Sequence, residues 1–284
     1  MQSEKTPARS RGLQIFLLVL FILIAIIFLF PIYYMLIASF KESSDLFKDG
    51  YHMIFQFDNL TFSNYVYTTT GENLTYLKWY WNSFFLMVVS TVLTLAFSSL
   101  SGYALGAYKF KGQKVAFVMV LIVMMMPLEI MIIPLYQMMI GINLIDTKTG
   151  SILPFMVAPT AMFFFRQYIS GLDKGYMDAG RIDGCTEFGI FFKIMVPLMK
   201  PAFGAMTILL ALRNWNAYLW PMIVFRSSDK FTLPVGLASL ISSYGDNYAM
   251  LIPGSVLAFL PLIIIFLCNQ KQFISGLTAG GIKG

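Results

Sequence analysis

Apolar residues in this chain run in long unbroken blocks, and polar residues gather in short clusters between them. The first block, "LQIFLLVLFILIAIIFLFPIYYMLIASF", lies in a stretch with no charge between Arg11 and Lys41. A bilayer core of about 30 Å takes about 20 apolar residues of helix. That ruler predicts six spans, covering about residues 13–40, 84–108, 115–140, 152–169, 202–225 and 250–268. The first is too long for the apolar core of a signal peptide and shows no clear cleavage site. Pro127 and Pro134 interrupt the third and predict a broken or bent helix. Such a break is tolerated where it faces protein or a water-lined cavity, and a passive kink would read the same. The expected fold is all-α, a polytopic membrane protein of six helices forming a single domain over residues 1–284, with no internal repeat.

Composition agrees. Of 284 residues, 58% are hydrophobic and 12% charged, about half the charged share of a soluble domain. Mean hydropathy is +0.72. The formal charge of +6 sits beside the spans, so it reads as topology and not as nucleic-acid binding. With a cytoplasmic N-terminus, 13 Lys and Arg residues fall inside and 6 outside, leaving Arg213 within a span. The positive-inside rule then puts both termini in the cytoplasm. Cys185, Cys268 and the single His52 form neither a disulfide framework nor a metal site. No G-x-x-x-x-G-K-[ST] occurs, which excludes a nucleotide-hydrolysing subunit, and no Ser–His or Cys–His arrangement suggests catalysis.

The longest charged interruption on the cytoplasmic side, residues 171–200, falls between spans four and five. Ser170 and Asp173 are placed like the two ends of a capping box, opening a helix through about Arg181. Gly184 after Asp183 is a natural left-handed stop. Thr186 can cap a second helix, with Glu187 in its first turn where the dipole favours an acid. Phe188, Phe191, Phe192 and Met195 follow at helical spacing, and Pro197 and Pro201 close the segment. A helix-turn-helix with exposed aromatics needs a partner; the same phenylalanines would also suit the lipid interface.

This stretch resembles the EAA loop of ABC-importer permeases. Asp178, Ala179 and Gly180 stand where that family has Glu, Ala and Ala; Asp183 and Gly184 match its following D-G, and Pro197 and Pro201 its P-L-x-x-P end. The acid is one methylene shorter than the family's, and glycine replaces an alanine. Other segments carry the resemblance over nearly the whole chain, to the carbohydrate-uptake branch and its shorter maltose-type permease: "WNSFFLMVVSTVLTLAFSSLSGYALGAYKFKG", "MMMPLEIMIIPLYQ", "RNWNAYLWPMIV", "FTLPVGLASL" and "GLTAGGIKG". The resemblance implies a type I ABC importer permease fold in the bacterial inner membrane. Residues 171–200 would be the coupling helix that docks on the ATP-hydrolysing subunit. It further implies a second permease subunit, an ATPase dimer that binds the ATP and magnesium, and an extracytoplasmic solute-binding protein. The cargo would be a carbohydrate, with an oligosaccharide first and a glycerol-phosphate or polyol as the alternative. A membrane-bound enzyme of lipid-linked sugar would need a carboxylate or metal cluster at one interface, where the acids here are scattered. A secondary transporter would favour inverted repeats.

The remaining candidates are open on sequence. Gly102 and Gly106, with Ser98 on the same face, form a small-residue stripe that suits close helix approach, within the chain or against another subunit. Glu129 and Arg213 are charges within spans and should face the bundle interior. Arg213, Asn214 and Asn216 could hydrogen-bond sugar hydroxyls while Trp215, Tyr218 or Trp220 stacks on a sugar ring. The aromatics could equally be interfacial belt residues, with Arg213 paired to Glu129. Asn59 and Asn73 begin N-x-T sequences in an extracytoplasmic loop, and the glycine-rich tail from Gly276 either threads into the ATPases or ends disordered.

Overall fold

The computed structural model describes residues 11–42, 46, 60–70, 74–241 and 247–281, with residues 11, 269 and 271–281 described by their backbone alone. Asn59, Asn73, His52 and the last three residues lie outside the described residues. Every regular element among the described residues is helical. The chain gathers into two compact units, residues 1–71 with 243–257, and residues 72–242 with 258–284.

The smaller unit holds α1 (Arg11–Ser39), α2 (Ser63–Thr70) and the first turns of α14 (Tyr248–Gly281). The most apolar 18-residue window of α1 has no buried residue, as expected of a helix that meets lipid. Its end is fixed by polar contacts: Asn64 Nδ2 donates to the carbonyls of Ser39 at 3.3 Å and Lys41 at 2.6 Å. Thr68 Oγ1 donates to Asn64 O at 2.7 Å and to Ala249 O at 3.4 Å.

The larger unit is built around α3 (Thr75–Ala107), which starts nine residues before the apolar ruler puts it. Here α4 (Gln113–Met125) and α5 (Leu128–Gly141) meet at 102°. The break falls at Pro127: Met126 before it is extended, as a residue preceding proline prefers, whereas Pro134 sits inside a continuous α5. The fourth span is also broken. A short α6 (Lys148–Ile152) with a tight turn at Leu153–Phe155 meets α7 (Pro159–Ser170) at 42°. Backbone groups freed at such a break must find partners, because lipid offers none. Helix α3 supplies them: Ser98 Oγ accepts from Ala158 N at 3.1 Å, and Thr94 Oγ1 donates to Phe155 O at 3.0 Å.

Gly102 and Gly106 resolve to packing within the chain. A Cβ on Gly102 would lie 2.8 Å from Met162 O and Phe165 Cβ and 3.0 Å from Arg166 N, all on α7. On Gly106 it would lie 3.1 Å from Arg166 O and 3.2 Å from the Ile169 side chain. The stripe is the seat of α7 on α3.

After α7 come α8 (Gly175–Ile182), α9 (Glu187–Ile190), a π turn at Phe191–Met195 and α10 (Val196–Leu198). The fifth span, α11 (Lys200–Trp215) and α12 (Leu219–Val224), is interrupted at residues 216–218, and α13 (Leu233–Ser239) precedes α14. The backbone of α14 stays helical to Gly281, well past the 250–268 window, so the tail from Gly276 is not an irregular end over its described part.

Candidate functional site

Two sites emerge. The first is the cytoplasmic turn between α8 and α9. The expected capping box does not form: Ser170 Oγ turns back to Arg166 O at 2.8 Å and finishes α7, while Asp173 Oδ1 alone accepts from Gly175 N at 2.9 Å. Gly184 has φ +74°. Its N–H donates to Arg181 O at 3.1 Å and the next N–H, of Cys185, to Gly180 O at 2.9 Å, the paired bonds of a Schellman stop. Thr186 Oγ1 then accepts from Gly189 N at 3.1 Å and caps α9. Gly180 lies where α8 meets the next helix; a Cβ there would come 2.7 Å from Ile194 Cδ1.

Charge ties the turn to α3. Arg181 bonds Asp178 Oδ1 at 2.9 Å and Glu187 Oε1 at 2.8 Å, and Tyr108 OH, just past the end of α3, donates to Glu187 Oε2 at 2.6 Å. The Arg181 guanidinium and then the Tyr108 hydroxyl hold the Glu187 carboxyl below its usual range. The aromatic set divides. Phe191 (3% exposed) and Met195 turn inward with Ile190 onto Tyr103 and Ile169, so Phe191 does not belong to the exposed face expected of it. Phe188 (73% exposed), Phe192 and Ile182 face outward. Asp178, Ala179, Asp183 and Pro197 are also exposed.

The second site is a cavity of about 250 Å³ in the larger unit. It brings together Glu129 from the first turn of α5, Arg213 and Asn214 from the end of α11, and Tyr218 from the interruption before α12. Among the described residues no ion pair joins Arg213 to Glu129. Arg213 lies toward the Phe155 ring, 6.0 Å from its centroid, and Asn214 Nδ2 donates to Thr91 Oγ1 at 3.1 Å. Trp215 and Asn216 do not line the cavity. Successive residues on a helix point about 100° apart, so Trp215 cannot share the face of Arg213. It is buried, its Nε1 donating to Ala258 O at 3.0 Å and its ring meeting Tyr80 edge-on. Asn216 closes α11, its Nδ2 donating to Leu212 O at 2.9 Å. Trp220 does line the cavity; it is buried, not a belt residue, and its Nε1 donates to Gly150 O at 3.3 Å. Thr94, Ser151 and Thr232 add hydroxyls that sequence reasoning missed.

The loop carrying Thr232 is held by a separate cluster beyond the spans. Burial raises the Asp146 carboxyl, but bonds from Lys230, Ser227 and the N–H groups of Arg226 and Ser227 outweigh it and hold the group well below the ordinary carboxylate range. Trp79 Nε1 donates to Ser228 O at 2.7 Å and Asn82 Nδ2 to Asp229 O at 2.9 Å, pinning the same loop to α3.

Residues 98–273 match the family described as binding-protein-dependent transport system inner membrane component. The chain is similar to the arabinooligosaccharides transport system permease protein AraQ of Bacillus subtilis, 55% identical over 95% of this chain and 96% of that one. It is also similar to the permease of the same name from Halalkalibacterium halodurans, 51% identical over 93% and 94%. Among solved structures, a chain of a bacterial ABC transporter involved in the import of the acidic polysaccharide alginate superposes with a TM-score of 0.80. That chain is 25% identical, and the match covers 94% of this chain and all of that one.

Proposed function

This chain belongs to the family of binding-protein-dependent transport inner membrane components, and from that premise we propose that it passes an oligosaccharide of arabinose through the membrane. It is a multi-pass inner-membrane permease subunit of an ABC carbohydrate importer, and it works with the importer's ATPase and binding protein. The observation that carries the substrate reading is the cavity. Glu129 offers acceptors, Arg213 and Asn214 offer donors, and Tyr218 offers both, beside the rings of Phe155 and Trp220. That is the equipment for a neutral molecule dense in hydroxyls, since one carboxylate and one guanidinium leave the cavity lining without net charge. The names of the two similar permeases support arabinose as the unit.

The mechanism follows from the two sites. ATP and magnesium bind the partner ATPase pair, whose closure moves the α8–α9 turn through Phe188, Phe192 and Ile182. Arg181, Glu187 and Tyr108 pass that motion to α3, which lines the cavity. The cavity, shared with a second permease subunit, then changes the side to which it opens. ATP drives the change only if it binds the outward state more tightly. With both termini cytoplasmic, the turn faces the ATPases and the loop at residues 225–232 faces the binding protein.

A strain without this chain is expected to lose uptake of labelled arabinotriose and to keep uptake of glycerol-3-phosphate. The wild-type chain should restore the first, and Glu129→Lys should not. Arabinotriose uptake that persists while glycerol-3-phosphate uptake is lost would favour the polyol alternative.

A further inference from the structure

We propose that the Thr232 hydroxyl is a contact for a hydroxyl of the transported carbohydrate, a specificity-determining group in the cavity; this rests on the carbohydrate-path reading above. Thr232 is 3% exposed and lines the cavity; its Oγ1, closed to solvent in this conformation and so reached only as the cavity reshapes, has no hydrogen-bond partner among the described residues. A buried hydroxyl without a partner is destabilising, so its retention calls for a reason.

Capping does not supply one. Thr232 is the residue before α13, where threonine is favoured because its hydroxyl accepts from the second or third N–H of the helix. Two other threonines in this chain do so: Thr147 accepts from Gly150 N at 3.0 Å and Thr186 from Gly189 N at 3.1 Å. Thr232 makes no such bond. Pro234 removes one of the candidate donors, and the N–H of Leu233 goes to Ser83 Oγ at 2.7 Å. The Thr232 hydroxyl is therefore left over in the place where a threonine usually spends it.

The backbone on either side of it is held still. On one side Asn82 Nδ2 donates to Phe231 O at 3.2 Å, and on the other Leu233 N is fixed to Ser83. Both anchors are on α3, and Lys230 Nζ bonds Asp146 Oδ2 at 2.8 Å two residues earlier. A polar group fixed by its neighbours pays little ordering cost when a ligand arrives. A hydroxyl both donates and accepts, which suits another hydroxyl better than an ion. The contact is the side chain's own and not the amide end of α13.

The test is uptake kinetics of arabinotriose, maltotriose and lactose by cells carrying the whole importer, with T232V and T232S compared with wild type. For the sugar that wild type takes up, T232V is expected to lower kcat/KM about three- to tenfold, mainly through KM. T232S should stay within about twofold, since it keeps the hydroxyl. The melting temperature of the T232V importer should not fall, because an unpaired buried hydroxyl has been removed. Uptake by T232V equal to wild type would overturn the Thr232 contact and leave the carbohydrate path standing. Loss of uptake in both variants with a lowered melting temperature would make Thr232 a packing residue and overturn the proposal. A wild-type importer that takes up none of the three sugars would overturn the carbohydrate reading and this inference with it.

Discussion

Phe188→Asp is expected to abolish sugar-stimulated ATP hydrolysis and to release the ATPase from the complex while the chain stays folded in the membrane. Phe188 is 73% exposed at the start of α9, so its own fold has little to lose from an aspartate. Docking against a partner would bury the ring, and a buried aromatic at the centre of an interface contributes about 2–4 kcal/mol. Aspartate forfeits that and adds a charge to desolvate. At about 1.4 kcal/mol per tenfold, the lost contact alone should weaken binding by about thirtyfold to several hundredfold. Phe191→Asp is the control with the opposite signature. Phe191 is 3% exposed and its ring lies 5.0 Å from that of Tyr103, so the charge should deplete the folded chain itself. Quantifying chain and ATPase after mild-detergent purification separates the two. If Phe188→Asp keeps its ATPase, the exposed aromatics belong to the lipid interface and not to a docking surface.

Gly102→Leu is expected to prevent stable folding. The atoms nearest a Cβ at that position are Met162 O, Phe165 Cβ and Arg166 N. Two of these are backbone and cannot turn aside as a side-chain end would. Leucine adds four carbons where one does not fit, so α7 must leave α3. Overpacking costs about 1–3 kcal/mol for a single extra group and more when the backbone must shift. In lipid no hydrophobic effect drives the helices back together. The loss should spread, because α7 also carries Phe165 and Ile169, on which Phe191 and Met195 rest. Gly106→Ala, with its closest contacts at 3.1–3.3 Å, should be milder. Size-exclusion profiles of the extracted chains test the pair. A monodisperse Gly102→Leu protein at wild-type yield would contradict the α3–α7 packing.

Much of this was legible in residue order, for physical reasons that differ by element. Long apolar runs report the bilayer directly, so the six hydrophobic segments stand out. The stop at Gly184 and the cap at Thr186 are local, and both were readable because each depends on residues within a turn. Breaks were legible only in part. Pro127 marks the bend after α4, but Pro154 and Pro159 mark one that hydropathy smooths over, and the interruption at residues 216–218 carries no proline of its own. The capping box failed because Ser170 found a carbonyl of the preceding helix closer than the next N-terminus.

The cavity was legible as residue types and not as a place. Glu129 and Arg213 stand out in the sequence as costly charges within spans, Asn214 as an amide for sugar hydroxyls and Tyr218 as a ring to stack on a sugar, and the fold does assemble them. Trp215 reads as a stacking ring beside Arg213 and Asn214, but adjacency in sequence on a helix sends it to another face. Thr232 carried no local signal. Its importance comes from the loop that Asp146, Trp79 and Asn82 hold in place, a contact between segments about 80 to 150 residues apart.

This chain should move a sugar only as part of an ATP-driven assembly. The most direct measurement is arabinotriose uptake into proteoliposomes holding the purified complex, with binding protein outside and ATP supplied to the ATPase side. Uptake is expected to require both ATP and the binding protein and to be eliminated by Phe188→Asp. Uptake by this chain alone, driven by an ion gradient and indifferent to ATP, would contradict it.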